Sequence, residues 1–143
     1  MQVRNILSRK GSSVATIGRH DTVKDVIDSL EAHGIGALVV IEADQIIGII
    51  SERDVVRGLT AHGPGLLGHP VAEVMTREVM TCTPRDSIDH LMATMTERRI
   101  RHLPVLSEGR LAGIVSIGDI VKYRVDELEL ENNRMHEYIT TGR

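Results

Sequence analysis

Residues Arg99 to Lys122 read RIRHLPVLSEGRLAGIVSIGDIVK. A basic cluster leads into a short apolar run, a polar break at Ser107 to Arg110 interrupts it, and a second apolar run from Leu111 ends at Ser116. Asp119 then opens an amphipathic segment. This order predicts strand, tight turn, strand and helix start. Gly34 to Arg57 read GIGALVVIEADQIIGIISERDVVR, the same pattern displaced by 65 residues. Gly48 answers Gly113, Ser51 answers Ser116, Asp54 answers Asp119, Thr16 answers Thr81 and Asp21 answers Asp86. The chain is an internal duplication.

Working outward, Val23, Val26, Ile27 and Leu30 share one helical face behind a cap at Asp21 or Thr22, and Ile88, Leu91, Met92 and Met95 repeat that face behind Asp86 or Ser87. Ahead of each helix lies a short extended piece, Val14 to Ile17 and Val79 to Cys82. Ahead of that lies an apolar lead-in: Val3, Ile6 and Leu7 match Val71, Val74 and Met75 at an offset of 68. Ala37 to Ile41 and Ile46 to Ile50 predict an antiparallel hairpin. His62 to Pro70, rich in glycine and proline, reads as the linker. The expected fold class is therefore α+β, with α/β-like repeats. Each repeat is a small sheet with packed helices. Residues 1–66 form repeat one with the start of the linker, 67–124 repeat two, and 125–143 a C-terminal helical extension.

That last helix, expected from Asp119 to Tyr138, carries Val121, Val125, Leu128, Asn132, Met135 and Ile139 at alternating steps of four and three. This is a heptad-like seam with one polar position. It has two readings, a helix folded back on its own domain or one packed on a second subunit.

With 143 residues and a formal charge of −3, the chain suits one compact domain, and either half alone would be marginal. Hydrophobic residues make up 41%, with no Phe or Trp and only Tyr123 and Tyr138. The core must be aliphatic. Nucleic acid finds neither an aromatic stacking platform nor a basic surface. Cys82 is the single cysteine, so no internal disulfide forms and a reducing compartment fits. No apolar run reaches membrane-spanning length, and the first residues lack a secretory signal, so the expected location is cytoplasmic with no membrane partner.

The two copies of G-I-[IV]-S-x-x-D, Gly48 to Asp54 and Gly113 to Asp119, together with Arg101 to Val105 (RHLPV), resemble the repeat of the cystathionine-beta-synthase-type (CBS) domain. The resemblance covers roughly Val3 to Lys122. The whole chain resembles a stand-alone tandem pair, a Bateman module, with two repeats about a pseudo-two-fold axis and two clefts between them. The resemblance implies a regulatory sensor, not an enzyme, that binds adenine-containing ligands such as AMP, ADP, ATP, NAD or S-adenosylmethionine, with no obligatory cofactor and no metal. It also implies a homodimer and a separate effector protein. In similar proteins the Asp of each Ser-x-x-Asp corner holds the ribose hydroxyls and the Ser contacts ribose or phosphate.

On that pattern cleft one combines Ser51, Arg53 and Asp54 with Arg101 and His102. Cleft two combines Ser116 and Asp119 with Gly36 and Ala37. The adenine is expected against Thr16, Ile17, Val79 and Thr81. Cleft one then holds the cations for phosphate. Glu52 is expected to face solvent and pair with Arg53 or a neighbour. The residues themselves leave other readings open. Ser-x-x-Asp at a helix start is also a helix cap, and the whole chain also reads as a dimerisation scaffold with no ligand. No histidine has metal-ligand spacing, and no nucleophile–base pair or glycine-rich phosphate loop is present.

Overall fold

A computed structural model describes residues 1–141; Gly142 and Arg143, the end of the predicted extension, lie outside the described residues. The order is α1 (Val3–Lys10), β1 (Thr16–Gly18), α2 (Val23–His33), β2 (Ala37–Glu42), β3 (Gln45–Ser51) and α3 (Glu52–His62). Two 3-10 turns, Gly63–Gly68 and Val71–Glu73, follow, then α4 (Ile88–Arg98), β4 (His102–Ser107), β5 (Arg110–Ser116) and α5 (Ile117–Thr141). The mixed α+β class expected from the sequence is the one observed. Among the described residues no helix is long and apolar enough to cross a membrane.

Both hairpins are antiparallel, with equivalent registers: Ala37 faces Ser51, and His102 faces Ser116. Their two-residue turns place Ala43 and Asp44, and Glu108 and Gly109, at positive φ, which matches the right-handed twist of the flanking strands. Each hairpin also carries a register shift at the same point, between Val40 and Ile41 and between Val105 and Leu106. β1 adds a third, parallel strand to the first sheet. In the second repeat the matching piece shrinks to one bridge. The Cys82 amide donates to the Pro104 carbonyl at 3.0 Å, and the Leu106 amide donates to the Cys82 carbonyl at 2.8 Å.

The repeats are tied together by an exchange that the offsets alone do not show. Val3 and Ile6 of α1 are buried with Ile88, Leu91, Leu103, Val115 and Ile120, the core of repeat two. Val71 is buried with Val26, Leu30, Leu38 and Ile50, the core of repeat one, and Val74 and Met75 pack beside it. The backbone repeats the exchange. The Val3 amide donates to the Asp86 carbonyl (2.9 Å) and the Ile88 amide to Met1 (3.1 Å), while the Val71 amide donates to Asp21 (2.8 Å) and the Val23 amide to His69 (3.0 Å). The sequence boundary at residue 66 therefore counts α1 with repeat one, whereas its apolar face completes repeat two. The linker is less open than its composition suggests, because Leu66 within it is fully buried.

The glycine shared by the two hairpins has a steric reason. A Cβ on Gly113 would lie 2.7 Å from Cδ2 of Leu7, and one on Gly48 would lie 2.6 Å from the Met75 sulfur. Each lead-in crosses its sheet at that glycine. The duplication departs from itself at the end of the first long helix of each repeat. Gly34 takes the left-handed conformation after α2, and Arg99 takes it after α4.

Gly113→Val forces Leu7 off β5, so overpacking should lower unfolding free energy by about 1–3 kcal/mol. Urea denaturation, compared with the same change at the open position Gly65, measures it.

Candidate functional site

Ser51 ends β3 and caps α3. The Asp54 carboxylate folds back on this corner. Its Oδ2 accepts the Ser51 amide at 2.9 Å and the Ser51 hydroxyl at 3.2 Å, and its Oδ1 accepts the Thr76 hydroxyl at 2.9 Å. The capping role and the buried position coexist: Asp54 is 8% exposed, and it is the one buried charged residue among those described. A carboxylate offers about four acceptor positions; three are engaged here.

Asp54 sits in the wall of a cavity of about 1100 Å³ between the repeats. Ser51, Arg53 and Arg57 reach it from repeat one, and Arg98, Arg99, Arg101 and His102 from repeat two. The cavity wall thus carries five arginines against the carboxylates of Glu52, Asp54 and Glu78. Arg53 does not pair with Glu52 as expected. Its guanidinium donates to the Arg99 carbonyl at 3.0 Å, clasping the end of α4. Glu52 is exposed, as expected, and it also lies along the cavity. Its Oε1 would be 2.8 Å from a Cβ on Gly36, and the His102 Nε2 would be 3.3 Å from the same atom. Gly36 is therefore the narrow point at which the two repeats meet.

Seven residues expected at a ligand site are brought together in this cavity: Gly36, Ser51, Arg53, Asp54, Val79, Arg101 and His102. Gly36, paired with Asp119 in the sequence reading, borders the Asp54 cavity. Ala37, Thr16, Ile17, Thr81 and Ser116 line neither this cavity nor the smaller one described next. Ala37 is committed to the core at 5% exposure, and Ile17 packs beside the first core cluster. Thr76 and Arg57 escaped the sequence reading. Thr76 follows the lead-in of repeat two and was unremarkable until that lead-in crossed to repeat one. Arg57 lies one turn beyond Arg53 on the α3 face, a signal the spacing did contain.

Asp119 has the same corner and a different neighbour. The Ser116 amide donates to its Oδ2 at 2.9 Å, its own amide donates to the Ser116 hydroxyl at 3.1 Å, and Lys10 Nζ donates to Oδ2 at 2.6 Å. It borders a pocket of about 170 Å³ between α1 and α5, with Lys10, Lys122 and Tyr123. Burial pushes the Asp119 carboxyl up, but the Lys10 ammonium and the Ser116 amide outweigh it and hold the group below the usual carboxylate range. In both repeats the exchanged lead-in thus delivers a donor to the corner aspartate, a neutral hydroxyl at Asp54 and a cation at Asp119.

His102 is held below its ordinary value, first by burial and then by Lys10, with Asp119 and Glu52 opposing. Burial pushes the Cys82 thiol up to about 12, so it is a packed core group and a poor nucleophile. Among the described residues no group of three or more His, Cys, Asp or Glu is placed to hold a metal ion.

These features define a class: two copies of one strand–helix–hairpin–helix unit, joined by exchanged lead-ins around a shared polar cavity. The CBS domain family model matches residues 3–61 and 71–126. The chain belongs to the CBS domain family, as a tandem pair, and such a pair is a regulatory module. It is 39% identical over 127 residues to the mitochondrial CBS domain-containing protein CBSX3 of Arabidopsis thaliana, covering 85% of this chain and 62% of the relative. The chain thus spans less than two thirds of that relative's length. A solved CBS-domain containing protein from Agrobacterium tumefaciens superposes with a TM-score of 0.85 at 42% identity, covering 87% of this chain and 99% of the other. The CBS domain pair of protein MJ0100, solved in complex with 5′-methylthioadenosine and S-adenosyl-L-methionine, superposes with a TM-score of 0.77 at 25% identity, covering 86% and 98%.

Lys10→Met leaves the burial of Asp119 without its main opposing charge, so the Asp119 carboxyl titration should move upward, read by carbon-13 NMR of the side chain. In the wild type, the stabilisation tied to Asp119 is present above the unfolded carboxylate range and lost as pH falls through its depressed folded value. For His102 the folded protein binds fewer protons than the unfolded chain below about pH 6.5. Stability linked to it is therefore present above that pH and lost below. His102→Gln should shrink the stability difference between about pH 7 and pH 5, measured by denaturation at each pH.

Proposed function

We propose that this protein is an adenine-nucleotide sensor whose principal binding site is the cavity between Asp54 and the arginines of repeat two. The observation that carries this reading is a buried aspartate at a strand–helix corner, facing Arg99, Arg101 and His102 across one cleft. A carboxylate accepts the paired hydroxyls of a ribose, and arginine meets phosphate with a bidentate fork. The volume suits a nucleotide-sized ligand. Bound adenine nucleosides in the related MJ0100 pair support the same class of ligand. AMP, ADP, ATP and NAD all fit this chemistry. One acceptor position of Asp54 is open, on Oδ1 beside the Thr76 hydroxyl, so a ribose gripping both oxygens displaces the Ser51 hydroxyl from Oδ2, and one placing both hydroxyls on Oδ1 displaces the Thr76 hydroxyl.

Ser116 and Asp119 form the weaker of two corners, because Lys10 already occupies the carboxylate. Signalling is a population shift: a ligand with different affinity for two arrangements of the repeats changes how a separate effector protein is bound. This reading involves no catalysis, and it belongs to a reducing, cytoplasmic setting.

Small molecules released from freshly purified, denatured protein, identified by mass spectrometry, should include an adenine compound, and added AMP should raise the melting temperature. By calorimetry Arg101→Ala should weaken AMP by about tenfold or more, the scale of a lost charge-assisted hydrogen bond, and adenosine far less. Asp54→Ala should cost more than Asp119→Ala. A larger loss at Asp119 overturns the ranking of the two clefts. If no adenine compound shifts the melting temperature at millimolar concentration, the protein is a pseudo-symmetric scaffold.

A further inference from the structure

The far half of α5 leaves an apolar stripe uncovered. Ile120 and Tyr123 anchor the near half in the core of repeat two, with Ile117 packed beside them. Val121 (54% exposed), Val125 (46%), Leu128 (58%), Met135 (65%) and Ile139 (71%) do not share that face. They lie about 100° around the helix from the packed side at 100° per residue and follow one heptad register, with Val125, Asn132 and Ile139 at a and Val121, Leu128 and Met135 at d. The stripe runs for about 27 Å at 1.5 Å per residue. The fold-back reading of this helix is not the arrangement observed, since every described side chain from Leu128 onward is exposed.

We infer that α5 pairs with α5 of a second copy of this chain in a parallel, two-stranded coiled coil.

Three features of the stripe select this occupant and this direction. In the parallel register Asn132 meets its own copy, so each amide finds a partner inside the seam. In the antiparallel register that aligns all six seam positions, Asn132 faces Leu128 and its amide is buried without one. The flanking positions agree. In the parallel arrangement Arg124 at g lies opposite Glu129 at e of the second copy, and Glu131 at g lies opposite His136 at e. In the antiparallel arrangement Glu129 faces Glu129 and Glu131 faces Glu131 across the two-fold, two repulsive pairs. Arg124 already contacts Asp89 and Glu127 within its own chain, and its five donors leave capacity for a further carboxylate. Finally, the helix is already nucleated by the core of repeat two, so the pair forms without the cost of starting two isolated helices.

The seam is separate from the nucleotide cavity, so this inference stands or falls independently of the proposed ligand. The test is an oxidative crosslink with a sedimentation measurement on the full chain. Asn132→Cys should form an interchain disulfide under mild oxidation, whereas Leu130→Cys, outside the seam, should not; Cys82 is buried in both. The wild type should sediment as a dimer at micromolar concentration, and Leu128→Asp combined with Ile139→Asp should raise the dissociation constant by about 100-fold or more. The double variant should keep the wild-type circular-dichroism spectrum and a cooperative unfolding transition, which shows that the module is still folded. A monomer at all concentrations, a dimer unchanged by the double substitution, or equal crosslinking at the two cysteines overturns the inference. Faster crosslinking between mixed Asn132→Cys and Leu128→Cys chains than between Asn132→Cys chains alone overturns the parallel direction.

Discussion

The interaction on which the rest of this structure depends is the reciprocal exchange of the two lead-in segments. Val3 and Ile6 close the core of repeat two, and Val71 closes the core of repeat one. Each repeat by itself buries few side chains and none of them is a phenylalanine or tryptophan, so a missing apolar face would be a large fraction of its stability. The exchange removes that deficit in both halves at once and makes the halves one cooperative unit.

The same exchange decides the chemistry of the two aspartate corners. Both corners are built identically up to the backbone: a β-strand ends, a serine caps, and an aspartate three residues on accepts the cap amide. What differs is the side chain that the lead-in lays on the carboxylate. A threonine hydroxyl at Asp54 is neutral and readily displaced, whereas the Lys10 ammonium at Asp119 is an internal cation in place of a ligand. Together with the arginines gathered opposite Asp54, this breaks the functional symmetry of a nearly symmetric fold. Around His102 the same geometry sets a half-buried imidazole in the field of Lys10, Asp119 and Glu52, and burial and Lys10 hold it below its ordinary value.

Much of this was legible before any coordinates. The hairpins, their turns at Ala43–Asp44 and Glu108–Gly109, the helix caps at Thr22 and Ser87, and the aspartate corners follow from local chemistry repeated at a constant offset. The gathering of Arg53, Asp54, Arg101 and His102 was also readable, because duplication plus family resemblance says which corner faces which strand. Gly36 was assigned to the other corner, because its neighbours are settled by how far each sheet leans across the axis. Thr76 and Lys10 were missed for a related reason: each acts from a lead-in whose destination is the opposite repeat.

The linear chain, then, determined what is short-range and periodic: two copies of one unit, their strands, caps and turns, an aliphatic core, and a terminal helix with a heptad stripe. These depend on residues a few positions apart, where steric and hydrogen-bonding preferences act directly. Tertiary structure alone decided which lead-in completes which core, which donor covers each aspartate, and that the stripe on α5 stays uncovered within its own chain. Those outcomes turn on packing between segments from 22 to 109 residues apart, as at Thr76 with Asp54 and Lys10 with Asp119, where the energy comes from buried area and shape that no local pattern encodes.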